Sequence, residues 1–168
     1  DAVDEVVGAA DHLAFADTVA TRSITLLRDR DTVLPVDARW TRTVLSLTYG
    51  RPDDLIAGGT FDPALARLVD GASRARVGPE TPREVFDSLE AVAGNADLVI
   101  VSVYVPPRSG TGEVSVSDDM AAFIAAVGPD RPMMVISFGN PYLLAALPES
   151  PGYLIAWGEH EVSQNAAV

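Results

Sequence analysis

Val135-Ile136-Ser137-Phe138-Gly139-Asn140-Pro141-Tyr142-Leu143-Leu144 opens as an apolar run, turns at a glycine, and resumes after Asn-Pro in a segment rich in Leu and Ala. Each step has a physical reading. The run suits a buried strand. Gly139 suits a backbone that must turn sharply, Asn140 an N-cap, and Pro141 the first helical position. A strand that turns this tightly into a helix is the repeating unit of a parallel α/β sheet.

Working outward, the same alternation recurs. Residues 4–20 predict a helix, with Val6, Val7, Leu13 and Val19 among its apolar positions. Residues 23–28 predict a short strand, and Asp29 to Asp31 a polar turn. Thr43 to Tyr49 predicts a buried strand, followed by the loop Gly50-Arg51-Pro52-Asp53-Asp54. Asp62-Pro63 predicts a capped helix whose inner face carries Leu65, Leu68 and Val69. Arg74 to Val77 is a weak strand. Thr81-Pro82-Arg83-Glu84 has the form of a capping box ahead of Val85, Phe86, Leu89 and Val92.

Leu98 to Val105 is an almost unbroken β-branched run, which predicts a strand covered on both faces at the sheet centre. Ser117 predicts the cap of a helix with Met120, Phe123, Ile124 and Val127 inward. Met133 to Phe138 is the second central strand, parallel to the first. A short helix is predicted from Asn140 to before Pro148, a strand over Tyr153 to Trp157, and a last helix from 160 to 168. Together these predict one domain over residues 1–168. Its class is α/β, a three-layer α/β/α sandwich with a mostly parallel sheet and a flavodoxin-like appearance.

Composition narrows the function classes. The chain has 168 residues, 48% hydrophobic and 21% charged, which fits one packed domain rather than a disordered segment. Its net charge is −12, and all basic residues are Arg, so phosphate backbones would be repelled and nucleic-acid binding is not expected. The absence of Cys excludes disulfides, thiolate metal sites and cysteine nucleophiles. No apolar run is long enough for a membrane span, and no signal-peptide pattern opens the chain. The initial Asp1, in place of Met, leads to the expectation of a processed chain or an excised fragment.

In a sheet of this kind function gathers at the carboxyl ends of the strands. The loops concerned are roughly 50–60, 78–81, 106–117, 139–141 and 158–161. The longest carries Arg108, Ser109, Thr111 and Glu113, and reads as either a functional loop or a solvated connector. Asn140 reads as a helix cap, with presentation of its amide to a sugar hydroxyl as the alternative. Tyr142 reads as packed beneath the neighbouring loop. Trp157 reads as buried in the core or an interface, with stacking on a sugar ring as the alternative. His160, between Glu159 and Glu161, reads as a surface histidine at a helix start or as a general acid or base. The pairs Asp53/Asp54 and Asp118/Asp119 do not provide two carboxyls opposed across a bond at about 5–10 Å, as glycoside hydrolysis needs. No nucleotide fingerprint or metal-ligand spacing stands out, so neither cofactor nor metal is expected.

The wording of several segments resembles the C-terminal domain of family 3 glycoside hydrolases, in the β-N-acetylglucosaminidase branch. These are Ser137-Phe138-Gly139-Asn140-Pro141-Tyr142, Ser23-Ile24-Thr25-Leu26-Leu27 with Leu34-Pro35-Val36, Ala96 to Val105, the loop Ser109-Gly110-Thr111-Gly112, Tyr153 to Trp157, and Ser163-Gln164-Asn165-Ala166-Ala167. The resemblance implies a barrel that precedes this domain and holds the aspartate nucleophile and a His-Asp acid/base pair. It therefore implies no catalytic residue in this chain. The expected function is bracing the barrel of a glycosidase that hydrolyses terminal β-N-acetylhexosaminides. Arg108, Glu113, Asn140 and His160 are the candidate substrate-facing residues. The expected partners are the barrel, the carbohydrate and, through an uncovered apolar patch, a second copy. A bacterial extracytoplasmic setting follows from the resemblance alone. Two other readings stay open: a free-standing flavodoxin-like module for a nucleotide or flavin, and a structural interaction domain.

Overall fold

The computed structural model describes residues 7–37, 39–105 and 115–168. The elements in chain order are α1 (Ala10–Ser23), β1 (Thr25–Asp29), β2 (Val44–Tyr49), α2 (Phe61–Leu68), β3 (Ala72–Val77), α3 (Arg83–Ala93), β4 (Leu98–Tyr104), α4 (Asp118–Val127), β5 (Met133–Phe138), a 3₁₀ turn (Leu143–Ala146), β6 (Gly152–Ile155) and α5 (Glu161–Ala166). The strands form one sheet in the order β1-β6-β5-β4-β2-β3. All pairings are parallel except the edge pair β1–β6, which is antiparallel.

The two apolar runs lie side by side in the middle, with Val101 opposite Val135, and every residue of β2, β4 and β5 is buried. Strand periodicity divides the core in two. Leu45, Leu47, Val99, Val101, Val103, Met133 and Val135 face α3 and α4, where they meet Phe86, Met120, Phe123 and Ile124. Val44, Leu98, Ile100, Met134, Ile136 and Leu154 face the other way, toward Phe61, Leu65 and Val69 at α2. Tyr104 and Phe138, at adjacent strand ends, stack with centroids 4.5 Å apart, and Phe61 meets Phe138 edge-on at 5.8 Å. The architecture is the α/β sandwich that alternation predicted.

The local signals had mixed outcomes. Ser117 caps α4 as expected, its hydroxyl accepting from the Met120 N–H, and the four expected inward residues are buried. Gly139 turns the chain at φ 96°, a conformation that side chains oppose. Asn140 then forms a side-chain turn, its Oδ1 accepting from the Tyr142 N–H at 3.0 Å, but the segment winds into a 3₁₀ turn rather than an α-helix. Asp62 does not cap α2. The helix begins at Phe61, and the Asp62 carboxylate turns inward to accept from Ser46 Oγ and Thr48 Oγ1, each at 3.0 Å. Leu68, expected inside, is exposed. Thr81 does not cap α3 either, because its hydroxyl accepts from the Gly78 N–H, and Pro82 takes the cap position.

Helix α1 runs later than predicted, and its apolar residues Leu13 and Val19 lie exposed. It packs against α5 and buries only Ala20, so its apolar side chains find no core.

At the opposite end of the sheet, Asp97 closes the entry to β4. Its Oδ2 accepts from the Thr43 and Arg42 backbone N–H groups and from Thr43 Oγ1, each at 2.9 Å. These donors, the Thr43 N–H foremost, hold the carboxyl below its ordinary value of 3.8. The stabilisation is therefore fully present above that value and is lost as pH falls through the lower folded value. Asp97→Asn is expected to lower the urea midpoint more at pH 7 than at pH 3. A deficit of equal size at both would rule out the ionised carboxylate as its source.

Candidate functional site

The carboxyl ends of the strands carry a set of loops fixed by a few side chains. The loop after β2 is held from two sides. Arg76, on the edge strand β3, donates to the backbone carbonyls of Ala57 (2.8 Å), Arg51 (3.1 Å) and Asp54 (2.5 Å). Asp54 Oδ1 accepts from the Ile56 and Ala57 N–H groups at 3.0 and 3.2 Å. A cation over three carbonyls and a carboxylate under two amides leave this loop little freedom.

Gln164 supplies the remaining tie. It is buried on α5. Its Oε1 accepts from the Thr60 and Phe61 N–H groups at 3.0 and 2.9 Å, satisfying open donors at the start of α2. Its Nε2 donates to the carbonyls of Ile56 (2.9 Å) and Glu159 (2.7 Å). One amide thus joins the loop after β2, the start of α2 and the loop after β6. The loop after β4 is anchored where it ends, the Ser117 N–H donating to Tyr49 Oη at 2.8 Å.

Two buried phenols lie in this region. Burial, the largest effect, pushes the Tyr104 hydroxyl upward in pKa, and the same holds for Tyr153. Both stay neutral at physiological pH and cannot serve as bases there. Tyr104 Oη lies near the Gly58 backbone and the Ser102 hydroxyl without a well-formed hydrogen bond. The Asp54 and Asp62 carboxylates are engaged by backbone N–H groups and hydroxyls respectively. The chemistry of these groups is positioning rather than proton transfer.

Arg108 and Glu113, with the middle of their loop, lie outside the described residues. Asn140 and His160 both lie at strand ends, after β5 and after β6. Asn140 is buried, its carbonyl accepting from Ser137 Oγ at 2.6 Å. His160 is exposed at the N-cap of α5, where its side chain makes no capping hydrogen bond. Tyr142, expected beneath a loop, is 79% exposed. Trp157, expected in the core or an interface, is 52% exposed, and its Nε1 donates to Thr25 Oγ1 at 3.1 Å. Its φ of 59° places a non-glycine residue in the left-handed region. Gln164 and Arg76 were not singled out as site residues. Gln164 lay within a quoted segment, but three of its four partners, Ile56, Thr60 and Phe61, are more than 100 residues away.

Two hollows adjoin these elements. One of about 470 Å³ opens beside the β2 loop, between Pro52, Leu55, Asp62 and Arg76. Another, of about 620 Å³, runs over the α2 face of the sheet, between Val44, Ile100, Met134 and Leu154 on its floor and Leu65 and Val168 on its walls. The side chains that line the second are all apolar and offer no group for reaction. Among the described residues, no three His, Asp or Glu side chains gather as metal ligands would, and no helix is long and apolar enough to cross a membrane.

No family model matches this sequence, and no curated protein sequence matches it. Solved structures do match. A fungal multi-domain family 3 β-N-acetylglucosaminidase superposes with a TM-score of 0.76 at 19% identity, over 96% of this chain and 18% of its own. A family 3 β-N-acetylglucosaminidase from a Paenibacillus species superposes at 0.75 and 22%, over 95% and 30%. A β-glucosidase from Listeria innocua follows at 0.73 and 15%, over 99% and 26%. This chain has the fold of a domain carried within such glycosidases. It spans less than a third of the length of each.

Proposed function

We propose that this chain is the non-catalytic C-terminal α/β domain of a family 3 glycoside hydrolase. The parent enzyme would remove terminal β-linked N-acetylhexosamine with retention, through a glycosyl-enzyme intermediate. The observation that carries the reading is the coverage. Two β-N-acetylglucosaminidases match 95–96% of this chain while using 18–30% of their own length, which leaves ample polypeptide for a separate catalytic domain. The tied loops at the strand ends support a bracing role, since they offer a rigid face rather than a reactive one. On this reading the barrel holds the nucleophile and the acid/base pair. Arg108, Glu113, Asn140 and His160 are then the candidates to border the sugar cleft, Asn140 by setting the turn that carries Tyr142.

The direct test is turnover. The 168-residue chain alone is expected to release no chromophore from an aryl β-N-acetylglucosaminide above background. The parent polypeptide, expressed from the full reading frame, is expected to release it. Turnover by the chain alone, lost in Glu113→Gln or His160→Ala, would overturn the non-catalytic assignment. A reading frame that encodes no barrel would overturn the parent enzyme.

A further inference from the structure

We infer that the hollow at the amino ends of β4 and β5 is an accessory saccharide site, where the Trp40 indole carries the face of a β-linked pyranose and Asp31 and Arg131 hold its hydroxyls. The inference goes beyond the parent enzyme proposed above and rests on that reading only for the sugar offered in the test.

The hollow has a volume of about 460 Å³ and lies between the segment from Asp31 to Thr41 and the entries to β4 and β5 at Asp97 and Pro132. Sites for small molecules occupy roughly 300–1,000 Å³. Trp40 lines the hollow while 78% exposed. Among the described residues its indole makes no hydrogen bond and stacks on no other ring. Val33, Pro35 and Pro132 add apolar surface beside it.

The segment that bears Trp40 is tied at three points. The Asp29 carboxylate accepts from the Val33 and Leu34 N–H groups at 2.7 and 3.1 Å. The Asp37 carbonyl accepts from the Trp40 and Thr41 N–H groups at 3.0 and 2.9 Å. Asp97 holds the Arg42 and Thr43 amides. Between these ties Thr32 stands at φ 53°, a conformation that a β-branched residue resists. Such strain persists only where the surroundings enforce it, and it gathers at ligand sites. A ring fixed in this way loses little freedom on contact.

The polar groups select the ligand. Asp37 is spent on Arg39, and Asp97 on the two amides, so neither is available. Asp31 and Arg131 remain. Among the described residues neither side chain has a hydrogen bond or an ion pair, and Arg131 is half-buried. That guanidinium opposes a cationic ligand, while Asp31, in a chain of net charge −12, opposes an anionic one. A neutral sugar uses both groups. Its hydroxyls donate to the carboxylate and accept from the guanidinium, and its C–H face lies on the indole. The seven residues of β4 place this hollow about 20 Å from the strand-end loops, farther than one sugar unit reaches. It therefore holds a second stretch of glycan, not the residue being cleaved.

Proton–nitrogen NMR of the 168-residue chain reads the indole N–H groups of Trp40 and Trp157 together. Chitotriose is expected to shift the Trp40 indole and the Thr41 and Arg131 amides saturably and to leave Trp157 in place. Read from those amides, Trp40→Ala is expected to weaken binding about tenfold or more with the melting temperature unchanged. Arg131→Met, which keeps the stem and removes the donors, should weaken it severalfold. The absence of a saturable shift at these positions would overturn the inference. Shifts centred on Trp157, equal shifts with glycerol, or unaltered affinity in Trp40→Ala would overturn it as well. In the active parent polypeptide, hydroxyl-radical footprinting is expected to find Trp40 reactive, and protected once chitotriose is added. A Trp40 already protected there without sugar would make a protein segment the occupant and overturn the site. None of these readouts depends on turnover. A parent that cleaves its substrate while Trp40 ignores the sugar removes the site and leaves the enzyme. A reading frame without a barrel removes the enzyme, and binding at Trp40 in the chain alone still decides the site.

Discussion

Val135→Asp is expected to leave no cooperatively folded chain at 25 °C. Val135 is fully buried on β5, opposite Val101 on one side and Tyr153 on the other. Its surroundings, Val101, Phe123 and Tyr153 among them, belong to one apolar cluster. An unpaired carboxylate there must give up water or take a proton, and either way costs several kcal/mol. A domain of this size is stable by only about 5–15 kcal/mol, so that loss, added to the lost packing, consumes most of it. Circular dichroism and proton NMR dispersion would read the outcome. A cooperative melt within a few degrees of the parent sequence would refute this account of the sheet centre. Val135→Ala, which removes packing without adding charge, should melt cooperatively at a lower temperature.

Gln164→Ala is expected to cost about 3–5 kcal/mol, more than almost any other polar substitution in this chain, because it strands four backbone groups at once. The Thr60 and Phe61 amides lose their acceptor, and the Ile56 and Glu159 carbonyls lose their donor. Each buried group left unpaired costs about 1–3 kcal/mol, less wherever water enters. Urea unfolding gives the total, and amide exchange at Thr60 and Phe61 gives its location. Gln164→Glu separates the halves: it keeps the acceptor for the two amides and removes the donor for the two carbonyls. An unchanged urea midpoint in Gln164→Ala would mean that the ties are ornamental.

The parts of the fold that were legible in the sequence are those set by solvent exclusion. Leu98 to Tyr104 and Met133 to Phe138 are continuous apolar runs because both their faces are covered, and no local feature competes with that reading. Ser117 was legible because its cap is made three residues away, with Met120. Where a side chain had a distant partner, the local rule failed. Asp62 before Pro63 has the pattern of a cap, yet Ser46 and Thr48 on β2 claim the carboxylate. Thr81 has the pattern of a capping box, yet the Gly78 N–H claims its hydroxyl. Trp157 was read as buried in the core or at an interface; the core half fails, because a left-handed backbone and the Thr25 hydroxyl fix it half in water. The strand-end loops near 50–60, 78–81, 139–141 and 158–161 were placed correctly as loops. What tightens them, Arg76 and Gln164, acts across 19 and 108 residues, beyond the reach of periodicity.

The edge pairing of β1 with β6 has a consequence for synthesis on the ribosome. Thr25 pairs with Ile155, and the Thr25 hydroxyl receives the Trp157 indole from 132 residues away. While the chain emerges, β1 has no neighbour, for β6 is the strand made last. The parallel core of β2, β3, β4 and β5 can assemble as its segments appear, each next to one already made. Leu26 and Leu27, half-exposed even in the finished edge, meanwhile wait on a nascent segment with its hydrogen-bonding groups open. Such an edge is a template for pairing with another chain. The interval between the emergence of Leu27 and that of Tyr153 is thus the window in which this edge stands open to pairing with another chain.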